Sequence, residues 1–331
     1  MSLLSDRLPE RHDYLTQLII VFSLFAIFYF QSIFTILILP GIVLSVIGLS
    51  NGGEGIFHET MAFARKLRMG TRFTGTVILS IVGMVDELAV VTVATIQGNS
   101  SLSFGTVIGS NILVLFLFLL LFPLSAGKFM IKDFRLDSII ILAVGTITLI
   151  AYFTIGVINW EVSVILLGVM LVYILLSSGE KTEQPSAEGE RYSIVIALSA
   201  LISLTLASIN LVHEADYVAS YLRISSFYSG ILVTGGAGSL PELYLLYFSI
   251  RTGREELGTG IVIGSTVFKS TLAVAIAIIA EPVQLSGDLW PICIFIILSV
   301  ILFIVSITGP RKHYAVLTFV AVAVGTLLFL Q

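Results

Sequence analysis

The sequence predicts an all-α integral membrane protein: two inverted five-helix repeats forming a ten-span core, plus one extra N-terminal transmembrane helix, about eleven spans in all. Three observations lead there. Of the 331 residues only 11% are charged and 57% are hydrophobic, with a mean hydropathy of +1.06. Soluble domains carry roughly 25% charged residues, so most of this surface must face something other than water. The apolar residues come in runs long enough to cross a bilayer. Finally, the chain matches itself without gaps at an offset of 155 residues.

Candidate spans fall at roughly 15–31, 34–64, 73–96, 103–124, 136–156, 160–178, 193–219, 229–250, 259–280, 288–308 and 313–330, most of them near the 20 residues a crossing needs. The second is long and polar toward its end, so it is expected to be tilted or broken. No short apolar core with a small-residue cleavage site opens the chain, so the first run reads as a retained span. Alternating the spans from a cytoplasmic N-terminus puts 15 of the 17 basic residues on the cytoplasmic side. Arg223 falls outside and Lys269 lies inside a span. By the positive-inside rule this fixes a cell-membrane orientation with the C-terminus on the opposite side. One polar, charged stretch with Pro185 and Gly189 divides the chain after the sixth span. The predicted organisation is a cytoplasmic N-terminus and extra helix (1–33), a first repeat (34–178), a cytoplasmic linker (179–192) and a second repeat (193–331).

The offset matches include ionisable residues. Glu87 meets Glu242, His58-Glu59 meets His213-Glu214, and GTVIGS at Gly105–Ser110 meets GIVIGS at Gly260–Ser265. Five spans is an odd number, so the second copy enters the membrane upside down relative to the first. Such inverted repeats are an architecture of secondary transporters, because two equivalent halves can present one central site to either side in turn.

Ionisable groups within spans are costly and mark function by default. Glu87 and Glu242 lie mid-span among glycines and apolar residues. Pro241 lacks a backbone donor, and the preceding glycines loosen the helix, so a break there is expected to free carbonyl oxygens for a cation. Carboxylates supply the hard oxygens that such cations prefer. Ser110 and Ser265 add hydroxyls after Gly109 and Gly264.

The stretches GAGSLPEL (236–243) and GIVIGSTVF (260–268), with their partners at Val82–Leu88 and Gly105–Leu113, resemble the alpha-repeats of the calcium/cation antiporter superfamily, which includes sodium/calcium exchangers. SNGGEGIFHETMAFARKL resembles the helix that leads into such a repeat. The resemblance spans about 34–330 and places the alpha-repeats at about 73–124 and 229–280. It implies ion binding at Glu87 and Glu242, with metal ligation by both, and supporting roles for Ser239, Ser110 and Ser265. Asn111, which survives from the family's asparagine pattern, and Thr266, which replaces one of its amide or acidic positions, are further ion-binding candidates. The departures are informative. The first repeat reads VGMVDE, without the hydroxyls and proline, and gains Asp86. Val114 and Lys269 stand where amide or acidic ligands would be.

Lys269 admits three readings: a titratable competitor that couples proton and cation movement, a salt bridge that locks the core, or the mark of a site that no longer transports. His58-Glu59 and His213-Glu214 read either as gates and proton acceptors or as interfacial side chains.

The function expected from the sequence is secondary active cation antiport by alternating access, with proton or sodium coupling. Alternatives are a non-exchanging family member, a channel or sensor and, less favoured, an intramembrane enzyme using the acids as a dyad. No cofactor is expected beyond the transported cations, whether calcium, sodium or protons. The expected partners are membrane lipid and inorganic cations. No P-loop for ATP and no nucleic-acid motif is present, and the single Cys293 excludes an internal disulfide.

Overall fold

The computed structural model describes residues 19–24, 26, 38–66, 79–124, 134–177, 193–251, 255–284 and 289–308. Among them the secondary structure is helical apart from one isolated antiparallel bridge between Ile158 and Val283. The helices of the first half are α1 (Ile38–Lys66), α2 (Leu79–Val82), α3 (Val85–Ile96), α4 (Ser100–Leu124), α5 (Arg135–Ile155) and α6 (Trp160–Ser177). Those of the second are α7 (Ile194–Leu222), α8 (Ser226–Ser229), α9 (Gly236–Arg251), α10 (Glu255–Phe268), α11 (Val274–Ile279) and α12 (Trp290–Thr308). Two π-helical stretches, Gly230–Gly235 and Lys269–Ala273, join α8 to α9 and α10 to α11. Five described helices are long and apolar enough to cross a membrane. The predicted span at 313–330 and the linker at 179–192 lie outside the described residues, and the span at 15–31 is described only in part.

Helices 155 residues apart cross each other in opposite directions. Along α1, Ser45 meets Glu214, Gly48 meets Ser203 and Ala207, Gly52 meets Ala200 and Leu204, and Glu59 meets Ser193. The partner number on α7 falls as the α1 number rises, so the two run antiparallel. At their crossing the Ser203 hydroxyl donates to the Gly48 carbonyl at 3.1 Å, and these two residues are themselves 155 apart. The pair α5 and α12 behaves alike: Ser138 bonds Ser306 at 3.1 Å, while Gly145 abuts Phe295 and Ile296.

Burial separates the helices into two layers. The inner one holds α4 and the α10–α11 segment, both largely buried. The outer helices turn large apolar side chains outward, such as Phe153 on α5, Leu175 on α6, Ile194 on α7 and Ile307 on α12. In water that surface would be a large sticky patch; against lipid it costs nothing. The turns of one end converge, as alternating spans require. Ile158 pairs with Val283, Asn99 Nδ2 donates to Asp216 Oδ1 at 2.7 Å, and Gly98 lies beside Glu281.

One expectation is narrowed and one corrected. Of the two forms expected for the second span, tilted or broken, the break is absent, because α1 runs continuously for 29 residues. At 1.5 Å per residue that is about 43 Å, longer than a hydrocarbon core of about 30 Å, so tilt or protrusion takes up the excess. Nor does the chain break at Pro241: α9 runs through it from Gly236 to Arg251. The irregularity sits about two turns earlier, in the π stretch, which absorbs an extra residue without opening the helix. In the first half the helix does break, at the Gly83–Met84 turn between α2 and α3.

The inner layer is held at short range by glycine. A Cβ added at Gly105 would lie 2.1 Å from the Phe227 carbonyl oxygen, and one at Gly109 would lie 2.5 Å from the Ile231 Cα. Backbone cannot yield as a side-chain tip does, so Gly105→Ala should force α4 off the Phe227–Gly235 segment. The expected cost is about 1–3 kcal/mol, the usual penalty for overpacking. Thermal unfolding in detergent reads it as a clear drop in Tm; an unchanged Tm would contradict the close approach.

Candidate cation site

The two halves position their glutamates differently. The Gly83–Met84 turn starts a fresh helix, α3, whose first turn carries Asp86 and Glu87. Freed N–H groups and the positive end of the helix dipole favour negative charge there. One such group, Glu87 N, donates to Asp86 Oδ1 at 2.9 Å. Glu242 instead lies within α9, after the π stretch. Small residues line the approach: Gly238 packs on the Glu87 stem, and Gly53 of α1 on Asp86.

Lys269 closes the site. Its Nζ lies 2.8 Å from Glu87 Oε2, 2.5 Å from Glu242 Oε2 and 2.8 Å from Ser110 Oγ. Ser110 Oγ accepts from this ammonium and donates to Glu87 Oε2 at 2.8 Å. All three ammonium donors are therefore used, on oxygens from three different helices. Lys269 is 0% exposed, Glu87 1% and Glu242 2%, so these charges have no water to screen them. The second oxygen of each glutamate, Oε1, is buried with no hydrogen-bond partner. Asp86 is buried beside them. Among the described residues the cluster holds three acids and one base, a surplus that either a proton or a further cation would neutralise.

The remaining predicted residues divide into near and distant groups. Asn111 Nδ2 donates to Ser270 Oγ at 3.3 Å, leaving its buried Oδ1 unpartnered. Ser239 donates to the Gly235 carbonyl, and Ser265 and Thr266 both donate to the Val262 carbonyl, at 3.0 and 2.8 Å. These three hydroxyls are tied to their own helices and keep only lone pairs to offer. The His-Glu pairs belong to the α1–α7 region. Glu59 accepts from Ser193 N at 2.6 Å, and the fully buried Glu214 accepts from the Ser45 hydroxyl at 3.4 Å. His213 is exposed on α7, and the side chain of His58 lies outside the described residues.

Sequence reasoning missed Ser270 and the buried Thr106–Thr234 pair, whose hydroxyls hydrogen-bond between α4 and the π stretch. At the 155 offset their counterparts are Leu115, Ile261 and Leu79, all apolar, so a search for matched polar positions passes over them.

A family model described as sodium/calcium exchanger protein matches residues 37–179 and 192–330. The chain belongs to this family. Its relatives include a protein of Alkalimonas amylolytica named "Putative antiporter CaxA", 26% identical over 268 residues, which cover 75% of this chain and 81% of CaxA. The inner membrane protein YrbG of Escherichia coli (strain K12) is 22% identical over 224 residues, 63% of this chain and 69% of YrbG. Solved structures of the sodium-calcium exchanger NCX_Mj share the fold. One, soaked with 2.5 mM Na+ and 10 mM Sr2+, is 21% identical with a TM-score of 0.57 and covers 88% of this chain and 99% of that one. Another, soaked with 100 mM Na+ and 10 mM Sr2+, has a TM-score of 0.59 at the same identity and coverage. Family membership together with the apolar helices makes this an integral membrane protein.

Within this family member, Ser110 is the hinge of the buried network, since it touches both Glu87 and Lys269. Ser110→Ala leaves one ammonium donor and one carboxylate lone pair unmatched. A stability loss of about 1–3 kcal/mol is expected, as for hydrogen bonds to charged groups. Thermal melts against wild type measure it, and an unchanged Tm would mean the serine carries no share of the network.

Proposed function

We propose that this protein is a secondary active cation antiporter that binds its ion near the membrane midplane between the two repeats, at Glu87 and Glu242. The observation that carries the reading is the pair of repeat-matched carboxylates, both buried and each with one oxygen lacking a protein partner. Buried anionic oxygens in a surplus-acid cluster are stabilised by a cation. In a membrane such groups line ion pathways. Asp86, Ser110, Asn111, Ser239, Ser265 and Thr266 would complete or support the ligand shell, and Lys269 would set its charge.

The antiparallel crossings of α1 with α7 and of α5 with α12 support an inverted relation between a first repeat at 34–178 and a second at 193–331. A two-fold axis in the membrane plane reverses helix direction, whereas one along the membrane normal would leave mates parallel. The two separate stretches matched by the family model fall in with this division. Alternating access would arise from the halves exchanging conformations. The eleven-span count, a cytoplasmic N-terminus and coupling to protons or sodium belong to the same proposal. CaxA and NCX_Mj, by their names an antiporter and a sodium-calcium exchanger, lend it support.

The test is exchange in reconstituted vesicles, scanning calcium, sodium, potassium, magnesium and proton gradients. Glu87→Gln and Glu242→Gln should each lower cation flux on the order of tenfold or more, the factor that about 1.4 kcal/mol of lost ion binding gives. Full flux in both variants would sink the site assignment. No flux of any cation in the wild type would favour a locked, non-exchanging protein.

A further inference from the structure

Lys269 is unmatched by the repeat. Its counterpart at the 155 offset is Val114, which is fully buried and apolar. The glutamates it bridges are counterparts of each other, as are Ser110 and Ser265. A single ammonium has therefore been placed on one side of a carboxylate pair that recurs in both halves. The backbone beneath it is also unmatched. Lys269 opens the π-helical stretch Lys269–Ala273, whereas residues 114–118 lie in regular α-helix. A π turn inserts one residue and rotates the rest of the helix about its axis, a device that aims side chains at functional sites.

The surroundings of Nζ are those of a bound cation. Three oxygens from three helices lie at 2.5–2.8 Å, two of them anionic, in a region sealed from water. Tethering at Lys269 spares this cation the entropy of capture and prevents its escape. Glu87 Oε1, Glu242 Oε1 and Asn111 Oδ1 remain buried without partners, so the tether does not satisfy the whole cluster.

We propose that the Lys269 ammonium is a tethered cation that permanently fills one monovalent-cation position between Glu87, Glu242 and Ser110, leaving the unpartnered oxygens for the free ion. The inference rests on the transport reading for the identity of that free ion. The occupancy of the position by positive charge stands by itself. Its consequence is that removing the tether creates a vacancy shaped for a small free cation, ammonium before all others because it reproduces the lost group.

The test uses the full-length protein in detergent, with N-methyl-D-glucamine chloride keeping ionic strength constant. Lys269→Ala should melt well below wild type in that medium. Its Tm should rise saturably as ammonium or methylammonium replaces the bulky cation, and the wild type should lack this component. Should Lys269→Ala prove unfolded without small cations, purification in ammonium throughout replaces the titration. Folded protein recovered there, and lost when ammonium is dialysed away, is the supporting result. The double variant Lys269→Ala with Glu242→Gln lacks one of the two charges that would hold the free ion. It should melt closer to wild type in glucamine and respond weakly to ammonium.

Three results would each overturn the proposal: Lys269→Ala as stable as wild type in glucamine, no rescue by ammonium, methylammonium or sodium, or an equal ammonium response in the double variant. Transport is judged apart. If ammonium rescues Lys269→Ala while Glu87→Gln and Glu242→Gln both keep full flux, the tether stands and the transport site falls. Loss of flux in Glu87→Gln without rescue of Lys269→Ala gives the reverse.

Discussion

A charged side chain buried inside a membrane protein must find its opposite, and here that requirement is concentrated on one ammonium. Lys269 Nζ joins carboxylates from α3 and α9 and a hydroxyl from α4. Each of those charges would be costly alone, by several kcal/mol after relaxation. Together they form a junction where both halves of the chain meet. The surrounding features make sense as ways to bring these atoms within hydrogen-bonding reach. Gly105 and Gly109 let α4 touch the backbone of the opposing segment, which brings Ser110 within reach of Lys269 from the second half. Gly238 makes room for the Glu87 stem, and Gly53 lets α1 pass beside Asp86.

The junction is also where the repeat stops being symmetric. The outer frame obeys it: α1 crosses α7, and α5 crosses α12, each mate running opposite to the other. Inside, Glu87 sits at the start of a broken helix and Glu242 within a continuous one preceded by a π stretch. Ser110 bonds its half's glutamate, whereas Ser265 bonds its own backbone. Under the proposed alternating access, two equivalent outer frames would present the same form to both sides of a membrane. An asymmetric centre suits a site that has taken on one fixed positive charge.

Much of this was legible in the sequence, and the reasons are physical. Spans are written in composition, because lipid tolerates few charges over some 20 residues. Hence 103–124, 136–156 and 160–178 matched α4, α5 and α6 to within a few residues. The key carboxylates were legible because an intramembrane acid is rare, and a recurrence at a fixed offset rarer still. Lys269 stood out as the lone base within a span. What the sequence hid was backbone detail and unmatched partners. Proline at 241 suggested a break, yet the helix continues through it and forgoes only the backbone hydrogen bond that a proline cannot donate. A π turn has no residue pattern of its own. The bridge from Lys269 to Glu87 and Glu242, rather than to Asp86, depended on where that turn aims the side chain. Thr106, Thr234 and Ser270 face apolar counterparts at the offset, so symmetry could not point to them.

The central claim is that Lys269 and the glutamates act as one electrostatically coupled unit. A double-mutant cycle across Glu242 and Lys269, read by thermal stability in detergent, tests it most directly. Glu242→Gln and Lys269→Met should each destabilise the protein, and the double variant should be more stable than the sum of the two losses implies. The coupling expected for buried, touching charges exceeds about 1 kcal/mol. Losses that simply add, within roughly 0.5 kcal/mol, would show that the ammonium and the carboxylate do not depend on each other.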